Sequence, residues 1–295
     1  MARLRIRILG AAAGGGLPQW NCGCVNCDAA RRGEIPALTQ SSIAASADGE
    51  RWTLLNASPD IGRQIFEAAC LHPTGPRRSP LSAVVLTNGD IDHVAGLLTL
   101  REKQPFDLFA TAEILGVLAE NPIFGALDPA LVSRRAVALG QAIEPVPGLS
   151  ATLFAVPGKV PLYLEGETVD TGIEGEQTVG VELSDGRARV LYIPGCAHVT
   201  EGLAARLEGA DLVFFDGTLW TDDEMIRLGV GRKTGQRMGH MPMSGPEGSM
   251  EALAPLGIGR KVYLHMNNTN PVLRPGSEER AAVEAAGWTV GRDGM

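Results

Sequence analysis

Short apolar runs separated by polar loops recur along the whole chain, and their lengths and flanking residues predict alternating strands and helices. In the first half, strands are expected at residues 6–9, 42–47, 52–56, 81–86 and 107–110, with helical stretches at 61–69, 94–100 and 113–118. The second half repeats the habit, with strands at 149–156, 178–183, 188–193, 212–215 and 262–264 and helices at 201–207 and 278–286. The pattern is α/β. It predicts one domain over 1–295, built of two strand-rich halves that meet near 140–150, with helices covering one face of each. The Pro-rich run 72–80 reads as a surface loop.

The N-terminal run Met1-Ala2-Arg3-Leu4-Arg5-Ile6-Arg7-Ile8-Leu9 alternates basic and apolar residues, as a half-buried strand does. It lacks the continuous apolar core of a secretory signal, and no segment reaches the roughly 18 apolar residues of a membrane span. A cytoplasmic location is therefore expected. The net charge of -8, with no Lys/Arg cluster beyond pairs such as Arg77-Arg78 and Arg134-Arg135, offers no footprint for nucleic acid or an anionic membrane. Five cysteines, three of them crowded together, fit a reduced compartment and metal binding better than a disulfide framework.

Chemistry gathers where strands end. The strand at 81–86 empties into Thr87-Asn88-Gly89-Asp90-Ile91-Asp92-His93, placing two carboxylates and an imidazole at a strand's C-terminal mouth, where α/β proteins bind ligands. A second apolar strand ends in Asp216 and a third in His265. Cys22, Cys24 and Cys27 form C-x-C-x-x-C, a spacing that lets one tight loop aim three thiolates at a tetrahedral ion, so a structural Zn(II) is expected. For its fourth ligand, Asn268, Cys196 and a distant carboxylate all stay open. Cys70 reads as core, and His198 as a surface residue or a neighbour of the substrate. The run Gly10-Ala11-Ala12-Ala13-Gly14-Gly15-Gly16 lacks a phosphate-loop signature and reads as a tight turn beside the site.

The strand-end motif resembles the second motif of the metallo-β-lactamase superfamily, Thr-His-x-His-x-Asp-His followed by a Gly-containing apolar helix. Asp92 and His93 match it, whereas Asn88 and Asp90 stand where it carries its first two His. By the same resemblance Asp216 stands as the bridging acid and His265 as the last ligand. His240 in Met238-Gly239-His240 lies in a segment like one that carries a catalytic or substrate-binding His. Gly158 in Val156-Pro157-Gly158 occupies the place of a further ligand His. The resemblance implies an αββα sandwich, two mixed β-sheets flanked by helices, with a metal site at one edge. Imidazoles missing at 88, 90 and 158 remove most of a two-metal cage, so a single metal is expected.

Over nearly the full length, Trp20-Asn21-Cys22-Gly23-Cys24-Val25-Asn26-Cys27, Asp90-Ile91-Asp92-His93, Arg237-Met238-Gly239-His240 and His265-Met266-Asn267-Asn268-Thr269-Asn270-Pro271 resemble the coenzyme PQQ synthesis protein B family. That resemblance implies a part in pyrroloquinoline quinone (PQQ) biosynthesis. One metal on Asp92, His93 and His265 would make a two-His-one-carboxylate set, which leaves open positions on Fe(II) for O2 and substrate. The expected activity is an O2-using hydroxylation of the tyrosine moiety of a small, peptide-derived Glu-Tyr precursor. Asp90, Asp216 and His240 are expected as extra ligands, proton carriers or substrate anchors. Lys159, Arg232, Lys233 and Arg237 are cationic candidates for the substrate's carboxylates by sequence neighbourhood. Two alternatives stand beside this reading: a metallo-hydrolase using a two-metal water, and a soluble carrier assisting transport of PQQ or its precursor to the periplasm. A homodimer is left open as the assembly.

Overall fold

The computed structural model describes residues 3–166 and 169–295; Met1 and Ala2, the start of the alternating N-terminal run, lie outside the described residues. Among the described residues thirteen strands form two sheets. The first sheet holds β1 (Arg5–Gly10), β2 (Ser42–Ser46), β3 (Trp52–Leu55), β4 (Leu81–Val85), β5 (Phe106–Ala110) and β6 (Val132–Ala136) in chain order across the sheet. The second holds β7 (Ala142–Val146), β8 (Leu149–Ala155), β9 (Val179–Ser184), β10 (Arg189–Ile193), β11 (Leu212–Asp216), β12 (Arg260–Leu264) and β13 (Trp288–Val290), again in chain order. Each sheet begins antiparallel, β1–β3 and β7–β10, and continues parallel, β3–β6 and β10–β13. The expected pair of mixed sheets is present, and the chain passes from one to the other at 137–141.

Helices lie between the strands: α1 (Val25–Arg31), α2 (Ile61–Glu67), α3 (Ile91–Val94), α4 (Ala112–Glu120), α5 (Glu201–Leu207), α6 (Glu224–Arg227), α7 (Gly235–Met238), α8 (Ser249–Leu253) and α9 (Glu278–Ala285). Among the described residues none is long and apolar enough to cross a membrane. Inner faces of the sheets share one buried cluster, with Ile43, Leu54 and Leu108 from the first and Leu153, Leu191 and Phe215 from the second. Fully burying side chains of this size is worth about 1.5–3 kcal/mol each. At the end of the sandwich where the parallel strands stop, a polar network replaces this packing. There Ser41 Oγ and Tyr192 Oη lie 3.1 Å apart, and Asn56 Nδ2 donates to Thr87 Oγ1 at 2.9 Å.

Several elements differ from expectation, β13 and the short helices α1 and α6–α8 among them, for none of these was expected. The helix expected at 94–100 is instead the short α3 followed by 3-10 turns over Ala95–Arg101. Gly96 lies so close to the 57–58 backbone that an added Cβ would stand 2.1 Å from the Ser58 carbonyl oxygen, and its N–H donates to Ala57 O at 2.9 Å. That outside bond draws the segment off regular α geometry. The boundary region 139–148 itself contains β7. The strand β6 hides behind its Val-Ser-Arg-Arg-Ala sequence, because an edge strand with four exposed residues carries polar side chains that no alternation rule flags.

Candidate metal centre

Three strand ends meet at the polar edge of the sandwich. After β4 the chain turns through Asn88 and Asp90 into α3, which carries Asp92 and His93. β11 ends on Asp216, and β12 is followed at once by His265. His265 has φ 56, the left-handed region that a β-carbon disfavours. Neighbours fix it there: Met266 N–H donates to Ala11 O at 3.0 Å, Ala13 N–H to Met266 O at 2.8 Å, and the Thr218 hydroxyl sits 2.9 Å from His265 O. The Gly-Ala run after β1 thus serves as the brace for this kink and, through Ala13 and Gly14, as one wall of the cavity beside it.

Donor atoms of Asp92, His93 and His265 converge within 4.8 Å. His265 Nε2 lies 3.1 Å and His93 Nε2 3.9 Å from Asp92 Oδ2. Asn88 Oδ1 is 2.7 Å from His93 Nδ1 and, being a carbonyl oxygen, accepts its proton. The opposite nitrogen, Nε2, therefore presents a lone pair, and it is buried with no hydrogen-bond partner. A buried polar atom left in that state signals a ligand. Asn88 occupies the place of a superfamily imidazole and aims its neighbour instead of binding.

Electrostatics agree with the geometry. Burial pushes the His93 imidazole down to about 4, against the pull of Asp92, so the ring is neutral at physiological pH. Burial opposes ionisation of Asp92 as well, yet the imidazoles of His93 and His265 overcome it and hold its carboxyl well below the usual range. His265 moves the other way: burial lowers it, but the hydrogen bond and charge of Asp92, then Asp216 and Asp90, raise it overall. The space between Asp92 and His265 favours a positive charge.

A second set, Asp216, His240 and His265, also converges within 4.8 Å, but it is already knitted together. Asp216 Oδ2 meets His240 Nδ1 at 2.7 Å and accepts the Cys196 N–H at 3.0 Å. Its Oδ1 accepts the Thr218 N–H at 3.0 Å and the Thr218 hydroxyl at 2.6 Å. That hydroxyl oxygen in turn lies 2.9 Å from His265 Nδ1 and 3.1 Å from His240 Nδ1. The expected bridging acid thus spends both oxygens on protein donors. With His265 Nδ1–H donated to Thr218, its Nε2 is turned toward Asp92.

Asp90 belongs to neither set. It stands at the N-cap position of α3 without capping it, accepts the Leu162 N–H at 3.3 Å and lines the cavity. Burial, then the charge of Asp92, raises its carboxyl above the usual range. Gly158 has no room for the missing imidazole, because a Cβ there would stand 2.6 Å from both Cγ2 and Oγ1 of Thr178. His198 is exposed, Cys70 packs half-buried against the core, and Cys196 is buried with its Sγ 3.1 Å from His198 O.

The cysteine trio forms a separate corner. Cys22 and Cys24 precede α1 and Cys27 lies on its first turn, so a helix start, not a loop alone, gathers the three sulfurs within 4.8 Å. Among the candidate fourth groups it is Asn268 that meets them, its Nδ2 lying 3.2, 3.4 and 3.3 Å from Cys22, Cys24 and Cys27 Sγ. Asn26 holds this segment by donating to Asn268 O and Asn270 O at 3.0 and 2.9 Å. Burial lifts the Cys27 thiol to about 11. Burial also opposes ionisation of Cys24, but hydrogen bonds from the Cys27 backbone, Cys22, Cys27 and Asn268 lower it overall.

The imidazole–carboxylate corner opens on a cavity of about 420 Å³ lined by Gly14, Asp90, Asp92, His93, His240 and His265, with Lys159, Glu165 and Lys233 on its wall. Of the cations expected near the mouth, Lys159, Lys233 and Arg237 converge on Glu165, while Arg232 stands outside that cluster. The orienting part of Asn88, the closing part of Thr218 and the hub at Glu165 carry no spacing signal. Each depends on where a side chain points once the sheets have packed.

Comparison with known proteins places the chain. The family described as "Beta-lactamase superfamily domain" matches residues 51–266. Coenzyme PQQ synthesis protein B of Ruegeria pomeroyi is 61% identical over 292 residues, 99% of each chain. Its namesake from Rhizobium meliloti is 60% identical, covering 99% of this chain and 97% of the relative. The crystal structure of Zn(2+)-bound PqqB from Methylobacterium extorquens matches with a TM-score of 0.97 at 57% identity, over 99% of both chains. A diphosphatase of the PhnP family, 20% identical with a TM-score of 0.70, shares the fold over 99% of this chain and 96% of its own. Matched at this identity from end to end, the chain belongs to the coenzyme PQQ synthesis protein B family, a branch of the β-lactamase superfamily.

Proposed function

We propose that this chain acts in PQQ biosynthesis as a metal-dependent hydroxylase, inserting oxygen from O2 into the tyrosine-derived ring of a small Glu-Tyr precursor. The observation that carries the reading is the unpartnered, buried His93 Nε2 facing Asp92 and His265, beside a second donor set closed by the Thr218 hydroxyl. Asp92, His93 and His265 would hold one Fe(II); when bound, it supplies the one-electron chemistry that O2 activation requires. One oxygen atom enters the ring and the other leaves as water, with two electrons and two protons drawn from an external reductant.

The protein's own part is geometric and electrostatic. Asn88 fixes the tautomer and direction of His93, and Thr218 does the same for His265. His240, with its Nδ1 toward Asp216, and Asp90, with its raised carboxyl, both line the cavity and would hold protons beside the ring. The two-metal hydrolase loses ground because every oxygen of Asp216 already accepts from the chain. In the cysteine corner we infer a structural Zn(II) on Cys22, Cys24 and Cys27.

The test is O2 uptake by anaerobically reconstituted Fe(II) protein given the tyrosine-derived precursor and a reductant, with the product mass read in parallel. Uptake with a gain of one oxygen atom is expected. Bound Fe(II) without O2 consumption would overturn the hydroxylase, and tight binding of PQQ or precursor without turnover would favour the carrier.

A further inference from the structure

On the cavity wall one carboxylate holds three cations. Glu165 Oε1 lies 2.9 Å from Lys159 Nζ, and its Oε2 lies 3.1 Å from both Lys233 Nζ and Arg237 Nη1. The Glu165 side chain is 7% exposed and that of Lys159 11%, so the pair is withdrawn from bulk water; Lys233 and Arg237 remain 38% exposed. None of the three cations has another carboxylate as an ion-pair partner among the described residues. They share Glu165 as their one direct carboxylate partner, with Asp90, on which Lys159 also acts, the next acid on the same cavity; cations gathered on one carboxylate and partly withdrawn from water are placed to exchange that partner for another anion. Lys159, Glu165 and Lys233 line the same cavity as Asp92, His93 and His265.

We propose that Lys159, Lys233 and Arg237 form a carboxylate-binding subsite in which Glu165 is the resident anion, displaced by a carboxylate of the incoming ligand. The ligand class is an organic acid with two or more carboxylates and a ring small enough for a cavity of about 420 Å³. Glu165 keeps the three cations gathered while the cavity is free of ligand. It therefore competes with whatever binds there, and discriminates against ligands that bring no carboxylate of their own. This inference rests on the cavity being the substrate site of the proposed hydroxylase, but its test reads binding alone, so its failure and the failure of the hydroxylase reading are told apart.

The sign of one effect decides the matter. Benzene-1,3,5-tricarboxylate serves as the probe and benzene-1,3,5-tricarboxamide as its uncharged counterpart, titrated calorimetrically into the full-length protein with its metals in place. Glu165→Gln is expected to bind the acid about tenfold more tightly than the unaltered protein, whereas Lys233→Ala and Arg237→Ala each weaken it about tenfold. Both of those side chains are partly exposed, so their removal leaves the fold intact. Glu165→Asp, which keeps the charge but shortens its reach, gives an intermediate gain and covers the case in which the Gln variant does not fold. If Glu165 were only a structural hub, its removal would scatter the cations and weaken binding. Equal or weaker binding by the Gln and Asp variants, or an amide that binds as well as the acid, overturns the proposal.

Discussion

Two corners of this molecule can gather metal-binding atoms, and they are built in opposite ways although only two residues separate His265 from Asn268 along the chain. In the thiol corner an amide already stands within 3.4 Å of all three sulfurs, and no side faces the large cavity. In the imidazole–carboxylate corner one nitrogen is left without a partner and the donors look out into open space. A corner turned away from the cavity suits an ion that holds the fold, and one that opens on it suits an ion that must accept further ligands. The lesson is that access to the cavity separates the two roles, even where the elements carrying them are shared.

Removing donors one corner at a time should break the comparison most visibly. His93→Ala is expected to weaken metal binding at its own corner by more than about 100-fold while the thiol corner keeps its ion, as metal analysis of the purified variant would read. Loss of both ions together would mean that the corners are one cooperative unit. Cys27→Ser should do the reverse and also cost about 3 kcal/mol of stability, a fall of roughly 6–12 °C in Tm by calorimetry, because a structural ion contributes directly to folding.

Smaller changes sharpen the distinction. Asn88→Ala leaves all three donors in place but frees the His93 ring, and metal affinity is expected to fall about 10- to 100-fold without loss of the fold. An unchanged affinity would show that the ring is aimed by packing alone. Thr218→Val strips hydrogen bonds from Asp216 and His265 and should destabilise by about 1–3 kcal/mol in urea titrations, with metal stoichiometry at this corner staying at one. A second equivalent appearing there would show that the hydroxyl had been blocking a two-metal site.

The smallest effect concerns the cavity wall. Burial opposes ionisation of Glu165, but Lys159, Lys233 and Arg237 lower it from 4.5 to about 2. A depressed acid stabilises the fold above its unfolded value, so its contribution is complete above about pH 4.5 and disappears as the pH falls through about 2. The stability difference between the unaltered protein and Glu165→Gln should therefore shrink between pH 6 and pH 3 in thermal melts. A constant difference would assign the effect to packing.

Much of this arrangement is legible in the chain, and what is legible shares a cause. Strand ends announce themselves because an apolar run must stop, and Asp92, His93, Asp216 and His265 all sit at or just beyond such stops. The alternation of β and α segments likewise carries the two mixed sheets, since each parallel connection needs a covering helix. The β6 strand escapes because its edge position removes the apolar face that periodicity detects. Asn88 reads as a defective ligand in the one-dimensional pattern. Only its 2.7 Å contact to the far side of the His93 ring gives it a task. Thr218 and Glu165 escape for a related reason, since the partners that define their parts, His240 and His265 for the one and Lys233 and Arg237 for the other, lie 22 to 72 residues away. No local pattern records a hydroxyl shared by two imidazoles or a carboxylate shared by three cations.

The left-handed backbone at His265 sets stability and chemistry against each other. Glycine would adopt φ 56 with no steric cost, and in that sense it is the residue the kink prefers. Yet glycine carries no side-chain nitrogen to meet Asp92. Selection for a more comfortable backbone at this position would erase the centre, so improvement of the fold has to be sought elsewhere in the chain.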